Sequence, residues 1–176
     1  MRIRRLVIGT LLLAACHGGK SGSGRLDVML TSTTDTVRFK VRARAHWCAS
    51  DSSLEIVGTR GDSGLAVALF PKDSLLPGAY PVGAPDHAVI VRPSARVGAR
   101  WFGKTLVEGF YSVSGVVNLS AGGTVSGDLV AMLQGVGTEG QEEARGTFRN
   151  VPVRAAELPC GSRPDTTEGP SRLREG

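Results

Sequence analysis

From Thr36 to Cys48 the chain alternates without a break. Val37, Phe39, Val41, Ala43, Ala45 and Trp47 take the odd positions, and Arg38, Lys40, Arg42, Arg44 and His46 the even ones. A period of two held over this length predicts a β-strand with one face on an apolar core and the other toward solvent. Shorter stretches repeat the pattern. Arg25 to Thr31 carries Leu26, Val28 and Leu30 on one side, and the polar run Ser32 to Asp35 joins it to the long strand as a hairpin. Matching the two apolar faces sets Asp27 opposite Lys40 or Arg42. Leu54–Gly58 and Gly64–Phe70 form a second predicted hairpin. Its second arm is apolar on both faces, as a central strand covered on each side would be.

Ala79–Val82 is a short strand that Pro81 confines to a sheet edge. Ala88–Arg92 and Ala99–Phe102 are further strands, with residues 93–98 as their connection. Phe110–Leu119 and Thr124–Gln134 make the clearest hairpin, around Ser120-Ala121-Gly122-Gly123. Both arms contain Val-Ser-Gly, and glycine inside a strand marks a bulge or a close backbone approach. In the last strand, Glu143–Val153, the apolar parity moves from even (Ala144, Phe148) to odd (Val151, Val153), which places a bulge near Arg149. No window shows sustained helical periodicity. The expectation is an all-β chain, a single antiparallel β-sandwich or barrel of about ten short strands with little or no helix. Parallel sheets need crossover helices, for which the sequence has no candidates.

The amino terminus is of another kind. Arg2, Arg4 and Arg5 precede an apolar run from Leu6 to Ala15, too short to span a bilayer as a stable helix and typical of an export signal. It ends Leu13-Ala14-Ala15-Cys16, which resembles the lipobox of bacterial lipoproteins. The resemblance implies lipidation of Cys16, cleavage before it and acylation of the new amino terminus. His17 rather than Asp follows, and in a Gram-negative cell such lipoproteins are usually sent on to the outer membrane. Residues 1–15 are then a signal peptide, 16–24 the lipidated cysteine and a Gly/Ser-rich tether, 25–160 the β domain, and 161–176 a polar, disordered tail. The domain itself loosely resembles small all-β lipoproteins of unknown function, through Gly78-Ala79-Tyr80-Pro81-Val82, Ser114-Gly115-Val116-Val117 and Gly146-Thr147-Phe148 before a late cysteine. No catalytic residue comes with that likeness.

Charge narrows the functional classes. The chain has 21 basic and 16 acidic residues. Three of the basic ones fall in the signal, so the mature chain is close to neutral. That balance gives no support to nucleic-acid binding through bulk charge, and Phe39 and Trp47 lie on the face opposite the cations, where they offer no stacking platform. Cys48 and Cys160 are the two cysteines of the mature domain. In an oxidising compartment they read as a disulfide whose long loop contributes roughly 4–5 kcal/mol, with free thiols or half a metal site as the alternative.

Candidate chemistry is sparse. Gly61-Asp62-Ser63-Gly64 resembles the nucleophile region of chymotrypsin-like proteases, and Asp62-Ser63 is faintly similar to the GDSL esterases. His46 is too near for the first, and no histidine follows His87 for the second, so a hairpin loop is the plainer reading. His46, Asp86 and His87, with or without Cys48, match no metal-ligand spacing, so no metal or other cofactor is expected. Glu55, Glu108 and Asp128 are possible acids that sequence alone cannot bring together. The remaining feature is the stripe Arg38, Lys40, Arg42, Arg44, spanning about 20 Å. It reads either as a solvated sheet face balanced by Asp27 and Glu55, or as a surface for phosphates or an acidic wall polymer. The function expected is therefore a non-enzymatic binding or structural role at the bacterial cell envelope. The partners are a membrane, held through the lipid on Cys16, and an anionic component or another envelope protein. The alternative is a lipocalin-like carrier of a small apolar ligand, its cavity lined by Leu65–Phe70, Trp101-Phe102 and Phe110-Tyr111.

Overall fold

The computed structural model describes residues 24–84, 90–102, 107–120 and 122–154. These form ten strands and no helix: β1 (Gly24–Thr31), β2 (Thr36–Cys48), β3 (Ser53–Arg60), β4 (Ser63–Phe70), β5 (Gly78–Gly83), β6 (Ser94–Phe102), β7 (Val107–Leu119), β8 (Val125–Gly135), β9 (Gln141–Val151) and β10 (Val153–Arg154). β1 to β4 follow one another as antiparallel neighbours. The meander then runs through β6, β7, β8 and β9, and β9 returns to pair with β1. The sheet is thus a closed barrel rather than a sandwich. It contains nine strands, because β5 is wedged between β6 and β7, and β10 is added in parallel beside β2.

Alternation decides which side chain goes where. Leu26, Val28 and Leu30 of β1, Phe39, Ala43 and Ala45 of β2, and Leu65, Val67 and Leu69 of β4 all point into the barrel and are buried. They meet Leu129, Ala131, Leu133, Ala144 and Phe148 from the far wall in one continuous cluster. Fully burying a leucine, valine or phenylalanine contributes about 1.5–3 kcal/mol, and a barrel of this size is just wide enough for side chains to fill. Near the β3–β4 hairpin the rings of Phe39 and Trp101 meet edge to face at 5.8 Å, and the Arg60 guanidinium lies over both, 5.4 and 5.8 Å from their centroids.

Two expectations are sharpened and two are corrected. Asp27 stands opposite Lys40. The bulge expected near Arg149 is present: Val125 pairs with Val151 and Gly127 with Phe148, so β9 carries an extra residue, and Asn150 takes a φ of 53°. Residues 93–98, however, are not a connection. β6 begins at Ser94, and the predicted strand Ala88–Arg92 is not found, since Ile90 to Pro93 are not in a strand and 85–89 lie outside the described residues. Ala95, Val97, Ala99 and Trp101 do alternate with Arg96, Gly98 and Arg100, but small residues and an internal glycine weaken that pattern. The two-sided apolar strand β4 is covered fully on its inner side and only in part on its outer side, where Phe70 is buried with Arg92 and Arg96 over its ring. Its inner face carries Leu65, Val67 and Leu69, whereas Ala66 and Ala68 are half-buried on the outer wall.

The wedge at β5 needs a polar device. β7 pairs with β6 from Val107 to Tyr111 and with β5 from Ser114 to Leu119, with a bulge between Ser112 and Ser114. β5 is ladder-paired with β6 only at Val82↔Ala95, which leaves Pro81 beside an unpaired stretch of edge, as its missing N–H requires. At the fork the Ser112 hydroxyl, 1% exposed, accepts from Val97 N–H at 3.0 Å and donates to the Gly83 carbonyl at 3.1 Å. One side chain thereby supplies the hydrogen bonds that the diverging ladders drop. Close approach is also needed where β8 crosses under Phe148. A Cβ on Gly127 would lie 2.1 Å from the Asn118 carbonyl oxygen and 2.5 Å from Phe148 Cζ.

Candidate anion-binding surface

Among the described residues, the outer face of β9, β1 and β2 carries most of the exposed basic charge. The stripe read from β2 divides in two. Arg38 donates from Nε and one Nη to both carboxylate oxygens of Asp27, each at 2.8 Å, and Lys40 Nζ lies 3.7 Å from the same carboxylate. The hydrogen bond from Arg38, with the nearby charges of Arg38, Lys40 and Arg25, holds the Asp27 carboxyl below its ordinary range against the opposing effect of burial. Arg38 and Lys40 therefore share a single carboxylate, with Arg38 holding it by two hydrogen bonds.

Arg42 and Arg44 form no such pair among the described residues. Arg42 stands in register with Arg25 on β1, and Arg25 stands in register with Arg149 on β9. Three exposed arginines thus lie side by side across three strands, at a strand spacing of roughly 4.8 Å, with Arg44 about 7 Å further along β2. Among the described residues none of the four has an ion-pair or hydrogen-bond partner. Like charges directly opposite one another destabilise a sheet, so the row Arg149–Arg25–Arg42 works against the fold that displays it. Arg154 on β10, in register with His46, extends the basic surface past the start of β1.

Arg25 was within reach of sequence reasoning, because the register that puts Asp27 opposite Lys40 also puts Arg25 opposite Arg42. Arg149 was not, since only closure of the barrel between β9 and β1 brings it to the patch.

The other candidates have structural partners. His46 Nε2 sits 2.9 Å from Glu55 Oε2 across the β2–β3 ladder, and both approach Cys48 Sγ, all three ligand atoms lying within 4.8 Å of one another. Cys48 is buried and its sulfur is held in a disulfide, so it offers no thiolate to a metal. Cys16 and Cys160 lie outside the described residues, as do Asp86 and His87. Ser63 is buried in the β3–β4 hairpin, where its hydroxyl accepts from Phe102 N–H at 3.0 Å. Asp128 accepts from Asn118 Nδ2 at 2.9 Å. Glu55, Glu108 and Asp128 lie on three different strands with different cross-strand neighbours.

Fold and surface together define the protein as a closed antiparallel β-barrel with a side-chain core and a basic patch on its outer wall. No protein family, no curated protein and no solved structure matches the chain.

Proposed function

We propose that this is a lipid-anchored protein of a bacterial envelope, held through Cys16, whose non-enzymatic role is to bind anionic material on the outer face of β9, β1 and β2. The observation that carries this reading is the lateral row Arg149–Arg25–Arg42, in which like charges stand directly opposite one another and which forms no salt bridge among the described residues. A planar guanidinium suits phosphate oxygens, with its forked donors and weak hydration. Within this reading Cys160 is the partner of Cys48, since Cys16 is taken by the lipid.

The test is retention of the chain on immobilised inorganic polyphosphate. Binding at low salt that weakens at high salt and is lost in Arg25→Glu/Arg42→Glu supports the reading, provided the melting temperature is kept. Retention unchanged by that double reversal would refute it. The closed barrel is also the architecture that a small-ligand carrier needs, and native mass spectrometry separates the two roles. A co-purifying apolar molecule favours the carrier, whereas a bare chain agrees with the continuous core cluster inside the barrel. The same spectrum shows whether the chain is lighter by the two hydrogens lost on forming a disulfide.

A further inference from the structure

The arginine patch surrounds the point where the chain enters the barrel. Gly24 is the first residue of β1 and packs against the end of β9, where a Cβ would lie 2.5 Å from Val151 Cα. Arg25 follows at once, with Arg42 and Arg149 on either side of it. From Cys16 to Gly24 the chain has eight residue steps, which reach at most about 28 Å when fully extended. The segment between them, His17 to Ser23, contains Lys20 and no acidic residue.

Charge is also distributed lengthwise. At the other end of β1, Glu142 at the start of β9 feels the charges of Glu108 on β7 and of Asp35 in the β1–β2 connection. These three acids thus sit at the hairpin end of the barrel, and Arg25, Arg42 and Arg149 sit at the end where β1 begins.

We infer that the barrel lies against the membrane that anchors it, with Arg25, Arg42, Arg44 and Arg149 seated on the phosphate groups of anionic lipids and the hairpin end turned away. This rests on the proposed lipid anchor and names the partner of the same basic patch. The lipid would hold the chain at the surface, and the arginine contacts would set how the barrel lies on it. Each arginine near an anionic surface is worth about a fivefold shift in partition, so removing two lowers it about 25-fold.

The experiment uses the full chain as processed and extracted from cells, reconstituted into vesicles of phosphatidylcholine alone or of phosphatidylcholine with phosphatidylglycerol. Arginines are modified with a dicarbonyl reagent and quantified residue by residue by mass spectrometry. In phosphatidylglycerol vesicles Arg25, Arg42 and Arg149 are expected to react at least about tenfold more slowly than in phosphatidylcholine, and high salt should restore their rates. Arg60, near the hairpin end, should not change. In the Arg25→Glu/Arg149→Glu variant, Arg42 and Arg44 should lose their protection. Equal protection in the two lipids, or equal protection of Arg60 and Arg42, would overturn the inference. Retention on polyphosphate without protection on vesicles would remove the membrane as the partner and leave the anion-binding reading standing. Failure of the anchor shows separately, as a Cys16 peptide that carries no acyl mass.

Discussion

Replacing Ser112 with alanine tests the account of how the barrel accommodates a ninth strand. The side chain is 1% exposed and serves two backbone groups at the fork between β5, β6 and β7, the Val97 N–H at 3.0 Å and the Gly83 carbonyl at 3.1 Å. Alanine is nearly isosteric and opens no cavity of note, so the cost is that of stranding a donor and an acceptor away from water. Each stranded group costs about 1–3 kcal/mol. Carbonyls tolerate loss better than N–H groups, so the sum is expected near the lower middle of the range, about 2–4 kcal/mol. For a chain of this size that is a fall in melting temperature of roughly 5–15 °C.

Ser63→Ala is the internal comparison. It removes a single bond, to Phe102 N–H, at a site 8% exposed where solvent can partly replace it, and should cost about half as much or less. Thermal and urea unfolding followed by circular dichroism would measure both. If Ser112→Ala melts within about two degrees of the parent, or no lower than Ser63→Ala, the fork is not held by this hydroxyl and the reasoning fails.

Three further substitutions have defined outcomes. Asp27→Asn removes the carboxylate shared by Arg38 and Lys40; affinity for polyphosphate should rise, because the face loses one negative charge and frees Arg38 and Lys40 from it. Asp27's folded pKa is lowered, so the stability it contributes is present above its unfolded pKa, near 3.9, and is lost as pH falls through the lower folded value. The parent and Asp27→Asn should therefore converge in stability at strongly acidic pH in an acid titration followed by fluorescence. Glu142 behaves in the opposite sense. Burial first, then the charges of Glu108 and Asp35, raise its pKa, so its ionised form costs stability at neutral pH. Glu142→Gln should melt higher than the parent at pH 7, with the advantage shrinking as pH falls through the folded pKa toward about 4. Gly127→Ala should destabilise by several kcal/mol, because a Cβ there meets the Asn118 carbonyl and the Phe148 ring; a denaturation midpoint unchanged by it would show that the β8–β9 crossing is looser than described.

Much of the architecture was legible in the chain because strand alternation is a local signal. The β1–β2 hairpin, its register at Asp27 and the bulge at Arg149 all follow from apolar parity within a few neighbouring residues. The rest was hidden either because it is not local or because the local signal is weak. Whether the sheet closes depends on Leu26 meeting Phe148 across the chain, and no single segment carries that pairing. β6 hid because Ala95, Ala99 and Gly98 carry too little side chain to declare a face. The candidate site was half legible: Arg42 and Arg44 were visible as part of a stripe, Arg38 and Lys40 turned out to share an acid, and Arg149 joined only through closure.

That closure has a consequence for how the chain reaches its final form. Every other wall contact of the ring links strands that neighbour one another in order or skip only the short β5, so a partial meander can assemble as residues become available. The seam between β1 and β9 cannot, because it joins residues near 26 to residues near 148. Until β9 is present the meander has two raw edges, at β1 and at β8, each offering unpaired backbone groups to any passing strand. Pairings so distant in sequence are slow to form. The exposed interval therefore lasts until the final hairpin is available, and a chain halted before Val151 is expected to find partners in its own kind rather than within itself.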